Sequence, residues 1–115
     1  RISWRGKAVV YATDTEGYVE HDQHLVAIAR DADLLIHDAQ YRVEDYINPA
    51  DPKQGFGHST PEMACGVAQA AGARQLVLFH HDPSYDDDTV AQIEADAQRI
   101  FSCTRAAYEG LEIRL

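Results

Sequence analysis

The sequence predicts a layered α/β domain, with short strands and helices in alternation. Three observations carry that prediction. Apolar, β-branched runs of four to six residues recur along the chain. The stretches between them place apolar residues at helical spacing. Each central run stops abruptly at polar residues, as buried strands of α/β layers do. With 115 residues the chain is long enough for one small domain or a portion of one. The expected order is ββ-α-β-α-β-α-β.

Ile2-Ser3-Trp4 alternates, Arg5-Gly6-Lys7 is a polar turn, and Ala8 to Thr13 is apolar and β-branched. Together they read as a β-hairpin, with Trp4 and Tyr11 packing across its two strands. Residues 14–20 form a polar loop containing Gly17. The spacing of Leu25, Ile28, Ala29 and Ala32 predicts a helix from Asp22 to Asp31. Leu34-Leu35-Ile36 is then a buried strand that ends at His37-Asp38. Residues 42–57 hold Asn48, Pro49, Pro52, Gly55 and Gly57, which predicts a long loop with one helical turn before Asn48. A loop of that length in a compact domain marks a functional rim. Ser59 or Thr60 caps the next helix, Pro61 suits its first turn, Met63, Val67 and Ala70 face inward, and Gly72 ends it. Gln75 to Phe79 is a strand running into His80-His81-Asp82-Pro83. Asp86-Asp87-Asp88 opens an acidic helix start whose inner face is Val90, Ile93, Ala97, Ile100 and Phe101. Glu109-Gly110 turns into an alternating last strand, Leu111 to Leu115.

Composition excludes several classes. Hydrophobic residues make up 45% of the chain, which is ordinary for a folded domain. No apolar run reaches membrane-spanning length. Ten Lys and Arg against 19 Asp and Glu give a net charge of −9, so broad attraction to nucleic-acid backbones is not expected. A local phosphate pocket requires bound cations to supply positive charge. The two cysteines, Cys65 and Cys103, form no CxxC and read as reduced packing residues of a cytoplasmic protein.

The chemistry concentrates where strands end. Asp14 follows the first central strand, His37-Asp38 closes the second, and His80-His81-Asp82 follows the third. His58 precedes a helix between the last two. Loops at one end of an α/β sheet gather residues from distant parts of the chain, so Asp14, His37, His58 and His80 are expected to meet in one cleft. A carboxylate with imidazoles suits zinc, iron or manganese. His21 and His24, on an expected exposed helix, read as solvated.

Tyr11-Ala-Thr-Asp-Thr-Glu16, Leu35-Ile-His-Asp-Ala-Gln-Tyr41, Gly57-His-Ser-Thr60 and Leu78-Phe-His-His-Asp-Pro83 resemble, in order and spacing, the later motifs of the metallo-β-lactamase superfamily. The His-Asp-Ala and His-Ser-Thr pair resembles its phosphodiesterase and transfer-RNA 3′-processing endonuclease-like branch. The resemblance implies the second half of an αββα sandwich, residues 1–115 being the C-terminal portion of a single domain whose N-terminal half is absent. It implies a dinuclear metal-dependent hydrolase, most simply a phosphodiesterase using metal-activated hydroxide, and a fragment inactive alone. Asp14 would bridge two divalent metals, zinc first and manganese or iron next, and His80 would ligate one of them. His37 would act as general acid or phosphate contact, and His58 would be catalytic beside the site. His81 and Asp82 would orient His80. The family's His-x-His-x-Asp-His motif is absent from this sequence, so most ligands would come from the missing half.

The expected substrate is a small phosphodiester or nucleotide, with RNA second. The missing half or a second copy would cover the exposed sheet. The alternative is a noncatalytic signalling or partner-binding module, a degenerate superfamily member or a receiver-like domain. A receiver would carry a lysine after a late strand, where this chain has His80-His81.

Overall fold

The computed structural model describes residues 1–17 and 21–115, so the last three residues of the predicted 14–20 loop lie outside the described residues. Its elements are β1 (Val9–Ala12), α1 (Gln23–Ile28), β2 (Leu34–Asp38), α2 (Val43–Tyr46), α3 (Pro61–Ala71), β3 (Leu76–Phe79), α4 (Asp87–Ile100) and β4 (Thr104–Ala106). The four strands form one parallel sheet in the order β1-β2-β3-β4. Parallel neighbours need crossovers, and each crossover here contains helix.

Local chemistry sets the helix ends. Asp22 caps α1, its Oδ1 accepting from the N–H groups of His24 and Leu25. Thr60 caps α3, Pro61 occupies its first turn, and Gly72 closes it with φ 67°, a left-handed conformation suited to glycine. Asp86 caps α4 by accepting from Thr89 N. α1 is shorter than its periodicity predicts. It stops at Ile28, and Asp31 takes a positive φ of 56°. Val26 rather than Ile28 is buried, and Ile28 lies exposed.

The helices pack against one face of the sheet. That face carries Ala12, Leu35, Leu76 and Leu78, which join Val26, Ala64, Val67, Ala68, Ala71, Ile93 and Ala97 in the core. The small residues of α3 let it approach the strands closely, and its inner face is Ala64, Val67, Ala68 and Ala71, with Ala70 exposed. Strand alternation sends Val9 and Tyr11 to the other face, where both are at least half exposed.

Two strand expectations are corrected. Residues 2–4 form no strand, and Ile2 and Trp4 stand exposed rather than packed on Tyr11. Tyr11 instead leans on Phe79 across the sheet, with ring centroids 5.2 Å apart. Residues 111–115 likewise form no strand; the fourth strand is Thr104–Ala106. Alternation describes a side-chain pattern, whereas a strand exists only where a neighbour accepts its backbone hydrogen bonds. Thr104–Ala106 has β3 as that neighbour. Both cysteines are free, but only Cys65 packs in the core, where burial pushes its thiol up to about 11; Cys103 is exposed.

Candidate metal centre

Parallel strands deliver their C-terminal ends to one edge of the sheet, and ligands of open α/β sheets bind there. Register aligns Ala12 with His37, and Asp38 with Phe79. Asp14 lies two residues past β1, and His80 directly follows β3. The structure brings these two together, with His80 Nε2 4.0 Å from Asp14 Oδ1. His58 joins them from the loop before α3. One donor atom from each of Asp14, His58 and His80 lies within 4.8 Å of the others. The His58 and His80 rings stack nearly parallel, 10° apart in plane with centroids 4.8 Å apart.

Two features of this cluster fit a cation. His80 Nδ1 is buried with no hydrogen-bond partner among the described residues, while its Nε2 faces the Asp14 carboxylate at 4.0 Å. Asp14 and His80 also adopt left-handed backbone conformations, with φ 48° and 66°. Such conformations disfavour residues other than glycine and gather at functional sites. The donor set of one carboxylate and two imidazoles suits zinc and similar divalent metals.

Asp38 organises the second half of the site, a role that sequence reading did not assign to it. It is fully buried at the end of β2. Its Oδ2 lies 2.7 Å from His58 Nδ1, and its Oδ1 accepts from Ser59 N at 3.0 Å and Gln40 N at 3.3 Å. An ionised carboxylate only accepts, so His58 Nδ1 carries the proton and its Nε2 is left for other chemistry. Tyr41 meets the His58 ring edge-on, with centroids 6.2 Å apart. The available signal was adjacency: two titratable residues in succession on a strand point to opposite faces, so His37 and Asp38 cannot share a role.

His37 lies on the helix-covered face of β2, 1% exposed, outside the convergent group of three. Its Nδ1 donates to the carbonyl oxygen of Asp38 at 2.7 Å. Burial holds its pKa below the ordinary histidine value, so the ring is held neutral. Asp82 turns its Oδ1 to the N–H and hydroxyl of Ser84 rather than to His80. The Tyr85 hydroxyl donates to Asp45 at 2.6 Å and accepts from Arg42 N at 3.0 Å, which ties α2 to the loop after His80. Burial and the Asp45 carboxylate push that phenol up to about 12.

Comparison with known proteins agrees with this architecture. The family described as Beta-lactamase superfamily domain matches residues 1–81. Proteins named Ribonuclease Z are similar over nearly the whole chain. That of Bacillus subtilis is 33% identical over 96% of this chain and 34% of its own length. That of Synechocystis sp. is 36% identical over 96% of this chain and 32% of its own. The chain thus spans about a third of these relatives. Among solved structures, the metallo-beta-lactamase fold protein YhfI from Bacillus subtilis superposes with a TM-score of 0.70 at 24% identity, covering 90% of this chain and 38% of that one. A diphosphatase from the PhnP family superposes with a TM-score of 0.63 at 15% identity, covering 96% of this chain and 36% of that one. These two likenesses establish the fold.

Proposed function

The chain belongs to the Beta-lactamase superfamily domain family, and on that premise we propose that it is the C-terminal portion of a metal-dependent hydrolase of phosphodiesters. The observation that carries this reading is the convergence of Asp14, His58 and His80 at the C-terminal edge of a parallel sheet. The relatives named Ribonuclease Z and the diphosphatase of similar fold support phosphate-ester chemistry. A single-domain arrangement is supported by the exposure of Val9 and Tyr11 on the edge strand β1, which remaining chain would cover.

Asp14 and His80 would hold the metal, with further ligands from outside this chain; two ions, zinc first, fit the donor chemistry. Bound metal supplies Lewis acidity toward a phosphoryl oxygen and acidifies water. The residues of this chain do the rest. Asp38 fixes the His58 tautomer and ring plane. His58, partly exposed beside Asp14 and His80, is then placed to hydrogen-bond the phosphate or protonate its leaving oxygen. In this reading the acid role expected of His37 passes to His58, because the His37 ring is 1% exposed and lies outside the convergent group. A small phosphodiester or nucleotide suits the net charge of −9, with an RNA end as the second substrate class.

The test uses the full-length protein. Bound metal is measured by elemental analysis, and turnover is followed with bis-(p-nitrophenyl) phosphate, a cyclic nucleotide and an RNA carrying a 3′ extension. Metal content with turnover of any of the three supports the hydrolase. Full-length protein that holds metal but turns over none of them leaves a binding module, and the enzymatic reading is abandoned.

A further inference from the structure

The turn that leads into His58 is held by a residue that no role above uses. Gly55 and Gly57 both have φ of 87°, a conformation costly for any other residue. That geometry aims their N–H groups at one point, as in backbone anion nests. Glu16 fills it. Gly55 N donates to Glu16 Oε1 at 2.7 Å and Oε2 at 3.1 Å, and Gly57 N donates to Oε1 at 3.3 Å. A second stitch lies on the far side of His58. The buried Ser59 hydroxyl donates to the Thr15 carbonyl oxygen at 2.5 Å and accepts from Gly17 N at 2.9 Å. The segment that carries Asp14 and the segment that carries His58 are therefore joined at two points, with His58 between them.

We propose that Glu16 is a positioning residue of the metal centre: by holding the Gly55–Gly57 turn it sets His58 against Asp14 and His80. This rests on the hydrolase reading. Glu16 lies outside the convergent donor group, and its Oε1 already accepts two N–H groups. Its effect on a cation is therefore exerted through His58. Without it the turn keeps its glycine freedom, and His58 is placed by the Asp38 contact, the Ser59 stitch and its ring contacts with His80 and Tyr41.

The experiment compares full-length wild type, Glu16→Ala and Glu16→Gln. Four quantities are read: zinc affinity against a chelator, kcat and KM with bis-(p-nitrophenyl) phosphate, the thermal unfolding midpoint, and amide hydrogen exchange at Gly55 and Gly57 in metal-free protein. Glu16→Ala is expected to weaken zinc binding and lower kcat by about ten-fold each, the scale of outer contacts to metal ligands. KM and the unfolding midpoint should change little, and the two glycine amides should exchange faster. Glu16→Gln should recover most of the loss, because its amide oxygen still accepts from a backbone N–H. The clamp is overturned if wild type is loaded and active while Glu16→Ala matches it in zinc affinity and kcat, or if Glu16→Gln is no better than Glu16→Ala. If Glu16→Ala fails to fold, the Glu16→Gln comparison with wild type decides, and unaltered glycine exchange in it together with lost zinc affinity sinks the clamp. Wild type that binds none of zinc, manganese and iron brings down the hydrolase reading itself, and the clamp with it.

Discussion

Asp14 and His80 show how much a single residue can be asked to bear. Each takes a positive φ in a position where glycine would be easier, at about 1–2 kcal/mol per residue. Ligand chemistry therefore competes with backbone preference at the same atoms. His80→Gly and His80→Ala both delete the imidazole, but only glycine relieves the backbone. On the proposed hydrolase reading we expect turnover of the full-length protein to be lost in both, with the glycine variant about 1 kcal/mol more stable than the alanine variant by urea unfolding of the metal-free protein. Asp38 is the opposite case, a buried carboxylate whose oxygens satisfy His58, Ser59 N and Gln40 N. Asp38→Ala should cost about 2 kcal/mol, because it strands the Ser59 N–H, as read from the same unfolding curves. His37 predicts a pH dependence. Its folded pKa lies below the ordinary value of 6.5 because of burial. Above that value the ring is neutral in both states and contributes no pH dependence. As pH falls below it, the unfolded chain takes up a proton that the buried ring resists. Stability from this group is thus lost on acidification, until the pH passes below the folded pKa. Replacing His37 by Leu should flatten the slope of urea midpoint against pH below about 6.5.

At the scale of elements, α3 couples stability to the site. Its N-cap Thr60 accepts from Met63 N at 3.3 Å and stands two residues past His58. Its far end closes at Gly72 in the left-handed conformation. Thr60→Ala and Gly72→Ala should each cost about 1 kcal/mol, one by losing a cap and the other by backbone strain. Their functional effects should separate. Thermal melts would place them close together, whereas kinetics should show turnover lowered by Thr60→Ala and unaffected by Gly72→Ala. α2 is too short to be stable alone, and the Arg42, Asp45 and Tyr85 hydrogen bonds secure it to the segment after β3.

At the scale of the whole molecule the sheet is unequal in its two faces. Helices cover one, while on the other Val9 and Tyr11 of the edge strand β1 meet solvent although Leu34 and Val77 are buried, and Trp4 is 84% exposed. Parallel sheets are ordinarily covered on both faces. If the remaining chain supplies that cover, Trp4 fluorescence should be red-shifted and readily quenched by iodide in the isolated chain. In the full-length protein it should move to the blue and resist quenching. Identical spectra in the two would show that Trp4 stays uncovered.

Local chemistry announced most of the elements. The cap at Thr60, the helix starts at Asp22 and Asp86, the terminating Gly72 and the apolar runs of β2 and β3 act within a few residues of themselves, so the sequence carries them outright. The ends at Asp14, His37-Asp38 and His80 were legible as candidate chemistry for the same reason. The strands expected at residues 2–4 and 111–115 failed because pairing depends on a neighbour that alternation does not name, while Thr104–Ala106 became a strand because β3 was beside it. What only the tertiary structure decided was the division of labour at the site: which imidazole stacks on His80, which is sealed beneath the helices, and that Asp38 and Glu16 hold the loop between them. Those facts depend on the directions of side chains brought together from segments about 20 and 40 residues apart, and direction across such spans is set by packing, not by sequence spacing.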